Sequence, residues 1–231
     1  MANENSKKEQ FLQIPIGSVL LSGDLTIIEE SPGVVLFAHG SGSSRHSHRN
    51  RYVAKVLQDA GLNTLLFDLL TEQEEIIDEQ TSHLRFDIGL LTNRLVAVTD
   101  WLVQNNTTTV GNNASLAYFG ASTGAAAALS AAAKRVDIIK AVVSRGGRPD
   151  LAEPYLGRVK APTLLLVGGH DTPVIKMNQE AFDKLKQLSA EKGEKKIVVI
   201  PGATHLFEES GKLELVAQFA SEWFARFLLQ S

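Results

Sequence analysis

The stretch Ser115-Leu-Ala-Tyr-Phe-Gly-Ala-Ser-Thr-Gly-Ala-Ala-Ala-Ala-Leu-Ser130 decides how the rest of the chain is read. Leu116 to Phe119 is a short apolar run suited to a buried strand, and Ala125 to Lys134 is rich in small helix formers. Between them stands Gly120-Ala-Ser-Thr-Gly124. A serine with glycine at both second neighbours, set between a strand and a helix, is the pattern of a nucleophile elbow. The turn is so tight that side chains at the glycine positions would strike the flanking strand and helix, while the serine hydroxyl stands clear of the sheet. The first N–H groups of the following helix, and the positive end of its dipole, converge on the same spot. Taken alone such a string is more often a plain turn, so the rest of the chain must supply the context.

Moving outward, Val34-Val-Leu-Phe-Ala38 is a continuous apolar run of the kind a strand shows when both its faces are covered. Similar runs follow at Thr64 to Phe67, Ile139 to Val143, Thr163 to Val167 and Lys196 to Ile200. Helical patterns lie between them at about Asn50 to Ala60, Asp87 to Gln104, Asn178 to Leu188 and Leu213 to Leu229. Strands alternating with helices predict an α/β fold: a mostly parallel sheet of about eight strands with helices on both faces. The sheet is expected to open with an antiparallel edge, Ile14 to Leu21 and Leu25 to Glu29, turning at Ser22-Gly23-Asp24.

With 231 residues and no Pro/Gly/Ser-rich linker, the chain reads as one domain over 12–231 after a polar, disordered start at 1–11. Hydrophobic residues at 44% against 21% charged suit a globular core. A formal net charge of −3 gives no general pull towards nucleic acid or an anionic membrane, so neither is expected as a partner. The absence of cysteine removes thiol nucleophiles, disulfides and Cys-ligated metals. No metal-ligand spacing and no apolar signal or spanning segment is found, and a cytoplasmic location is expected. Asn105, Asn106 and Asn113 each begin an Asn-x-Ser/Thr sequon and read as part of a polar loop. Nothing here fixes the oligomeric state.

In parallel sheets the chemistry gathers beyond the carboxyl ends of the strands. Those positions carry His39-Gly-Ser41, Asp68, Ser122, Ser144-Arg-Gly-Gly-Arg148, Gly168-Gly-His-Asp171 and Gly202-Ala-Thr-His205. A serine hydroxyl is barely nucleophilic at neutral pH, so it needs a base, and the base needs an anion to fix its tautomer. His205 on the loop before the last helix supplies the base, and Asp171 supplies the anion; its alternative role is a helix cap before Thr172-Pro173. An oxyanion hole takes two N–H donors, assigned to Thr123 after the nucleophile and Ser41 in the loop after the third strand. His39 is expected to brace that loop through its side chain.

Phe37-Ala-His-Gly-Ser-Gly-Ser-Ser44, Gly120-Ala-Ser-Thr-Gly124, Val167-Gly-Gly-His-Asp171 and Gly202-Ala-Thr-His-Leu-Phe-Glu-Glu209 together resemble the α/β-hydrolase superfamily, in its dienelactone-hydrolase-related branch. The order Ser122, Asp171, His205 is the order that fold produces. The resemblance implies cleavage of a small ester, lactone or thioester through an acyl-enzyme, with no cofactor and no metal. It departs at one point: the founding members use a cysteine nucleophile, whereas this chain has Ser122 and no cysteine, which argues against dienelactone as substrate. The short stretch between Arg145 and Pro162 leaves no room for a large cap domain, so an open site is expected, with Leu69 to Leu84 as the longest candidate cover. Arg45 and Arg145 are candidate binding residues for an anionic acyl substrate. Two other readings remain: a non-catalytic binding protein on this fold, and a peptidase or transacylase using the same triad.

Overall fold

Apolar runs too short for helices and too buried for surface become the inner strands of one sheet. The computed structural model describes residues 6–105, 114–192 and 194–228. In chain order the strands are β1 (Lys7–Ile16), β2 (Val19–Ile28), β3 (Gly33–Ala38), β4 (Asn63–Phe67), β5 (Ser115–Ala121), β6 (Ile139–Arg145), β7 (Thr163–Gly168) and β8 (Lys195–Ile200). The helices are α1 (His48–Asp59), α2 (Glu72–Thr81), α3 (Ile88–Gln104), α4 (Thr123–Lys134), the single turn α5 (Glu153–Leu156), α6 (Thr172–Lys184) and α7 (Lys212–Leu228). The sheet order is β1-β2-β4-β3-β5-β6-β7-β8. β2 runs antiparallel to both its neighbours and the other pairs are parallel, so the predicted architecture is the observed one.

The strands β3, β4 and β7 are buried along their whole length, because helices cover both faces. On one face α3, α4 and α6 pack Leu91, Leu95, Val98, Leu129 and Ala181 against Leu36, Tyr118 and Val142. On the other, α1 and α7 pack Val53, Leu57, Val216, Trp223 and Phe224 against Phe37, Phe119 and Val143. Between β6 and β7 the chain makes only a 3-10 turn (Pro149–Ala152) and α5, so no cap domain covers the sheet.

Three expectations need correction. The first hairpin turns at Gly17-Ser18, with Gly17 at φ +59, and Ser22-Gly23-Asp24 lies inside β2. Gly23 is there for space: a Cβ would sit 3.2–3.3 Å from Leu65, Ile14 and Phe67. Residues 7–11, expected to be disordered, form the first half of β1 in register with β2. α6 also begins earlier than its pattern suggests, at Thr172, because Pro173 fits the first turn of a helix. Among the described residues no helix is long and apolar enough to cross a membrane. The sequon asparagines Asn106 and Asn113 lie outside the described residues.

Candidate active site

The strand-turn-helix at residues 115–134 forms as its sequence demands. Ser122 joins β5 to α4 at φ 50 and ψ −119, a backbone region that costs a non-glycine residue about 1–3 kcal/mol. Three hydrogen bonds hold it there. The Ser122 N–H donates to the Arg145 carbonyl at 3.2 Å, and its own carbonyl accepts from Ala125 N–H at 3.1 Å and Arg148 N–H at 3.1 Å. The flanking glycines are steric necessities: a Cβ on Gly124 would lie 2.2 Å from the Ala38 carbonyl oxygen, and one on Gly120 would lie 2.5 Å from Ala125 Cα. Ser122 is half-buried, with its Cβ packed against Gly40 of the loop after β3.

Asp171 and His205, far apart in sequence, meet where β7 and β8 end side by side. His205 Nδ1 donates to Asp171 Oδ2 at 2.6 Å, with the carboxylate side chain 14% exposed and the imidazole 38% exposed. Asp171 occupies the cap position of α6, but its side chain makes no capping bond and is directed to the histidine instead. The loop carrying His205 is anchored at both ends of the turn. Phe207 is fully buried in the α1/α7 core at φ 58, and the Glu209 carboxylate accepts the Thr204 N–H at 3.1 Å through each of its oxygens. That hydrogen bond lowers the Glu209 pKa. The His205 ring lies over residue 146: a Cβ built there would be 3.5 Å from His205 Cε1. Residue 146 directly follows Arg145, whose carbonyl holds Ser122, so the His205 ring reaches the end of β6, the strand next to the one that carries Ser122.

Ser41 and Thr123 line one small cleft together with Gly40, Gly42, Leu69, Leu70 and Leu91. His39 braces its floor as expected. Its Nδ1 donates to the Gly40 carbonyl at 3.0 Å and its Nε2 accepts the Leu69 N–H at 3.0 Å, which fixes the neutral tautomer. Burial pushes its pKa down in the same sense. Sequence reasoning missed two further residues in this cleft, Glu75 and Arg85. Asp78 fixes Arg85 by accepting its Nε at 2.5 Å and its backbone N–H at 3.0 Å. Burial, with Asp78 and Asp68 nearby, raises the Glu75 pKa. The acidic stretch that carries Glu75 was the clue; its capping box, Thr71 with Glu74, marks a helix facing the site.

The two candidate arginines part company. Arg45 is committed to structure: its backbone N–H and guanidinium both bind Asp68, its Nε lies 3.7 Å from Asp24, and it stacks over Phe11 at 5.6 Å. It ties the loop after β3 to β2 and β4, so its charge is already engaged within the fold. Arg145 is 6% exposed and lies beside the elbow.

The comparisons agree with the fold. A crystal structure of dienelactone hydrolase from Anabaena variabilis superposes with a TM-score of 0.90 at 57% identity, covering 96% of this chain and 99% of that one. A Xanthomonas campestris protein described as an α/β serine hydrolase without a lid shares the fold at a TM-score of 0.69 and 20% identity, over 97% of this chain and 96% of its own. Two Mycobacterium tuberculosis proteins, phosphoribosyl transferases by name, are 53% identical over 94% of this chain. The chain spans only 46% of their length. The family model for dienelactone hydrolases matches residues 22–228, and with the close structural relative it settles the relationship: the chain belongs to the dienelactone hydrolase family.

Proposed function

We propose that this member of a hydrolase family is a serine hydrolase that cleaves a small ester, lactone or thioester through an acyl-enzyme. Ser122 Oγ attacks the acyl carbon as its proton passes to His205 Nε2. Asp171 accepts the Nδ1–H, keeps Nε2 free to take that proton, and stabilises the imidazolium that results. The N–H groups of Ser41 and Thr123 receive the negative charge on the former carbonyl oxygen, each worth about 2.7–4 kcal/mol by comparison with other oxyanion holes. Collapse of the adduct expels the alcohol or thiol, which takes the proton from Nε2. Water then repeats the sequence on the acyl-serine and restores the free hydroxyl.

The observation that carries this reading is the 2.6 Å bond between His205 Nδ1 and Asp171 Oδ2, made by an aspartate whose helix-capping alternative is left unused. A binding module needs no such pair. Hydrolysis of short-chain p-nitrophenyl esters and the matching thioesters tests it, with Ser122→Ala as the blank. Turnover by wild type that vanishes in the variant is expected. Equal turnover by both would overturn the assignment.

The name carried by the mycobacterial relatives favours a second reading, phosphoribosyl transfer. It belongs to proteins of about twice this length, and a hydroxyl, an imidazole and a carboxylate in this order suit acyl transfer better. Consumption of phosphoribosyl diphosphate by the isolated chain, undiminished in Ser122→Ala, would favour that second reading.

A further inference from the structure

Arg145 is an anomaly among the charged residues. Each of the other arginines among the described residues meets a carboxylate, a carbonyl, an imidazole or an aromatic ring: Arg85 meets Asp78, Arg94 Glu74, Arg135 Asp100 and Arg148 Asp150. The Arg145 side chain makes no hydrogen bond and no ion pair, and its Nε is buried without a partner, although the residue is 94% removed from solvent. Leaving a charge buried and unpaired costs several kcal/mol, so such a group is retained where something else neutralises it. Burial, reinforced by Arg49, pushes its pKa down only to about 10, so the guanidinium keeps its proton at neutral pH. No carboxylate answers it, and the charged neighbour that acts on it is another cation.

Strand alternation shows where this charge goes. Ala141 and Val143 face the α1/α7 side of the sheet, and Arg145, two residues on, leaves on that same side. The charge that acts on it there is Arg49, in the first turn of α1, where the positive end of the helix dipole also lies. Two more polar atoms in that turn are buried without partners, Arg49 Nε and Asn50 Oδ1. Arg49 has one anionic contact: its Nη1 donates to Glu208 Oε1 at 2.7 Å, from the loop that carries His205. The Glu208 side chain is 57% exposed, so it can leave without opening the core.

We propose that Arg145 and Arg49 hold a compact oxyanion, a carboxylate or a phosphate, between β6 and the first turn of α1, and that this ligand displaces the carboxylate of Glu208. Planar guanidinium groups match such ligands two oxygens at a time. The anion is either a substituent of the substrate or a free ligand bound beside the candidate nucleophile. The substrate-borne version rests on the serine hydrolase reading, and the binding site itself does not.

Thermal unfolding of the full chain in increasing inorganic phosphate, against chloride at matched ionic strength, tests the site without using activity. Wild type should gain about 2–5 °C over the chloride control in millimolar phosphate. Arg145→Met, which keeps the volume and removes the charge, should lose that gain, and Glu208→Gln should reach it at lower phosphate. If Arg145→Met does not fold, Arg49→Gln is read in its place and should lose most of the gain. No gain in wild type, or an equal gain in the arginine variant, overturns the proposal. The source of the anion follows from the kcat/KM ratio for monophenyl succinate over phenyl acetate. A fall of 10-fold or more in that ratio on Arg145→Met identifies the anion as part of the substrate; an unchanged ratio beside a lost thermal gain identifies a free ligand. Should wild type hydrolyse neither ester, the hydrolase reading fails while the thermal result still decides the site.

Discussion

Replacing Asp171 by asparagine separates chemistry from structure at one atom. The Asp171 side chain accepts from His205 Nδ1 at 2.6 Å and makes no cap on α6, so its loss should leave the fold alone. Its effect on the reaction is large for two reasons. In the proposed mechanism His205 becomes a cation in the transition state, and unit charges about 4 Å apart at an effective dielectric of about 20 attract by about 4 kcal/mol. That is roughly 10³ in rate at 1.36 kcal/mol per decade. An asparagine also presents an N–H to Nδ1, which pushes the ring proton to Nε2, where it blocks proton transfer from Ser122. The same exchange in a serine protease triad costs about 10⁴. Asp171→Asn should therefore lower kcat for p-nitrophenyl acetate by about 10³ to 10⁴, with KM moved by less than about 3-fold and Tm within about 3 °C of wild type. A kcat within 10-fold of wild type would refute the reasoning, because then His205 does not act through Asp171.

Three other perturbations probe the frame. Gly124→Ala places a Cβ 2.2 Å from the Ala38 carbonyl and 2.4 Å from that of His39, both backbone atoms that cannot yield cheaply; urea unfolding should register a loss of about 3 kcal/mol or more, and a loss below 1 kcal/mol would show the elbow is slack. Phe207→Ala empties a fully buried site that anchors the His205 loop, so a loss of about 3–5 kcal/mol in unfolding should accompany a fall in kcat. His39 is held neutral by burial while the unfolded chain binds a proton near pH 6.5; as pH falls below that value the unfolded state gains the proton, and stability should drop by up to about 1.4 kcal/mol per pH unit. His39→Gln should flatten that slope in urea titrations between pH 7.5 and 5, and an unchanged slope would place the proton elsewhere.

Much of this was legible in the residues because the strongest signals were local. The runs at Val34 to Ala38 and Leu164 to Val167 are apolar throughout, the pattern of a short strand covered on both faces. Gly120 and Gly124 identified the elbow because no other residue fits within 3 Å of the opposing backbone. What failed was decided by distant contacts. Ser22-Gly23-Asp24 has the composition of a turn, yet its glycine answers to the side chains of Leu65 and Phe67 on β4. The ion pairs of Arg45 with Asp68 and Asp24, each more than twenty residues away in sequence, were likewise not legible in its loop. Phe207 and Glu209 fall within the Gly202 to Glu209 motif, but their roles depend on a left-handed backbone and a return hydrogen bond that only the folded loop displays.

The central claim is that Ser122 forms a covalent acyl intermediate with His205 as its base. Intact-mass and peptide mapping after treatment with a fluorophosphonate reads this directly. A single adduct on Ser122 is predicted in wild type, formed at least 100-fold more slowly in His205→Ala and absent in Ser122→Ala. An unlabelled wild type, or an adduct that persists in Ser122→Ala, would contradict it.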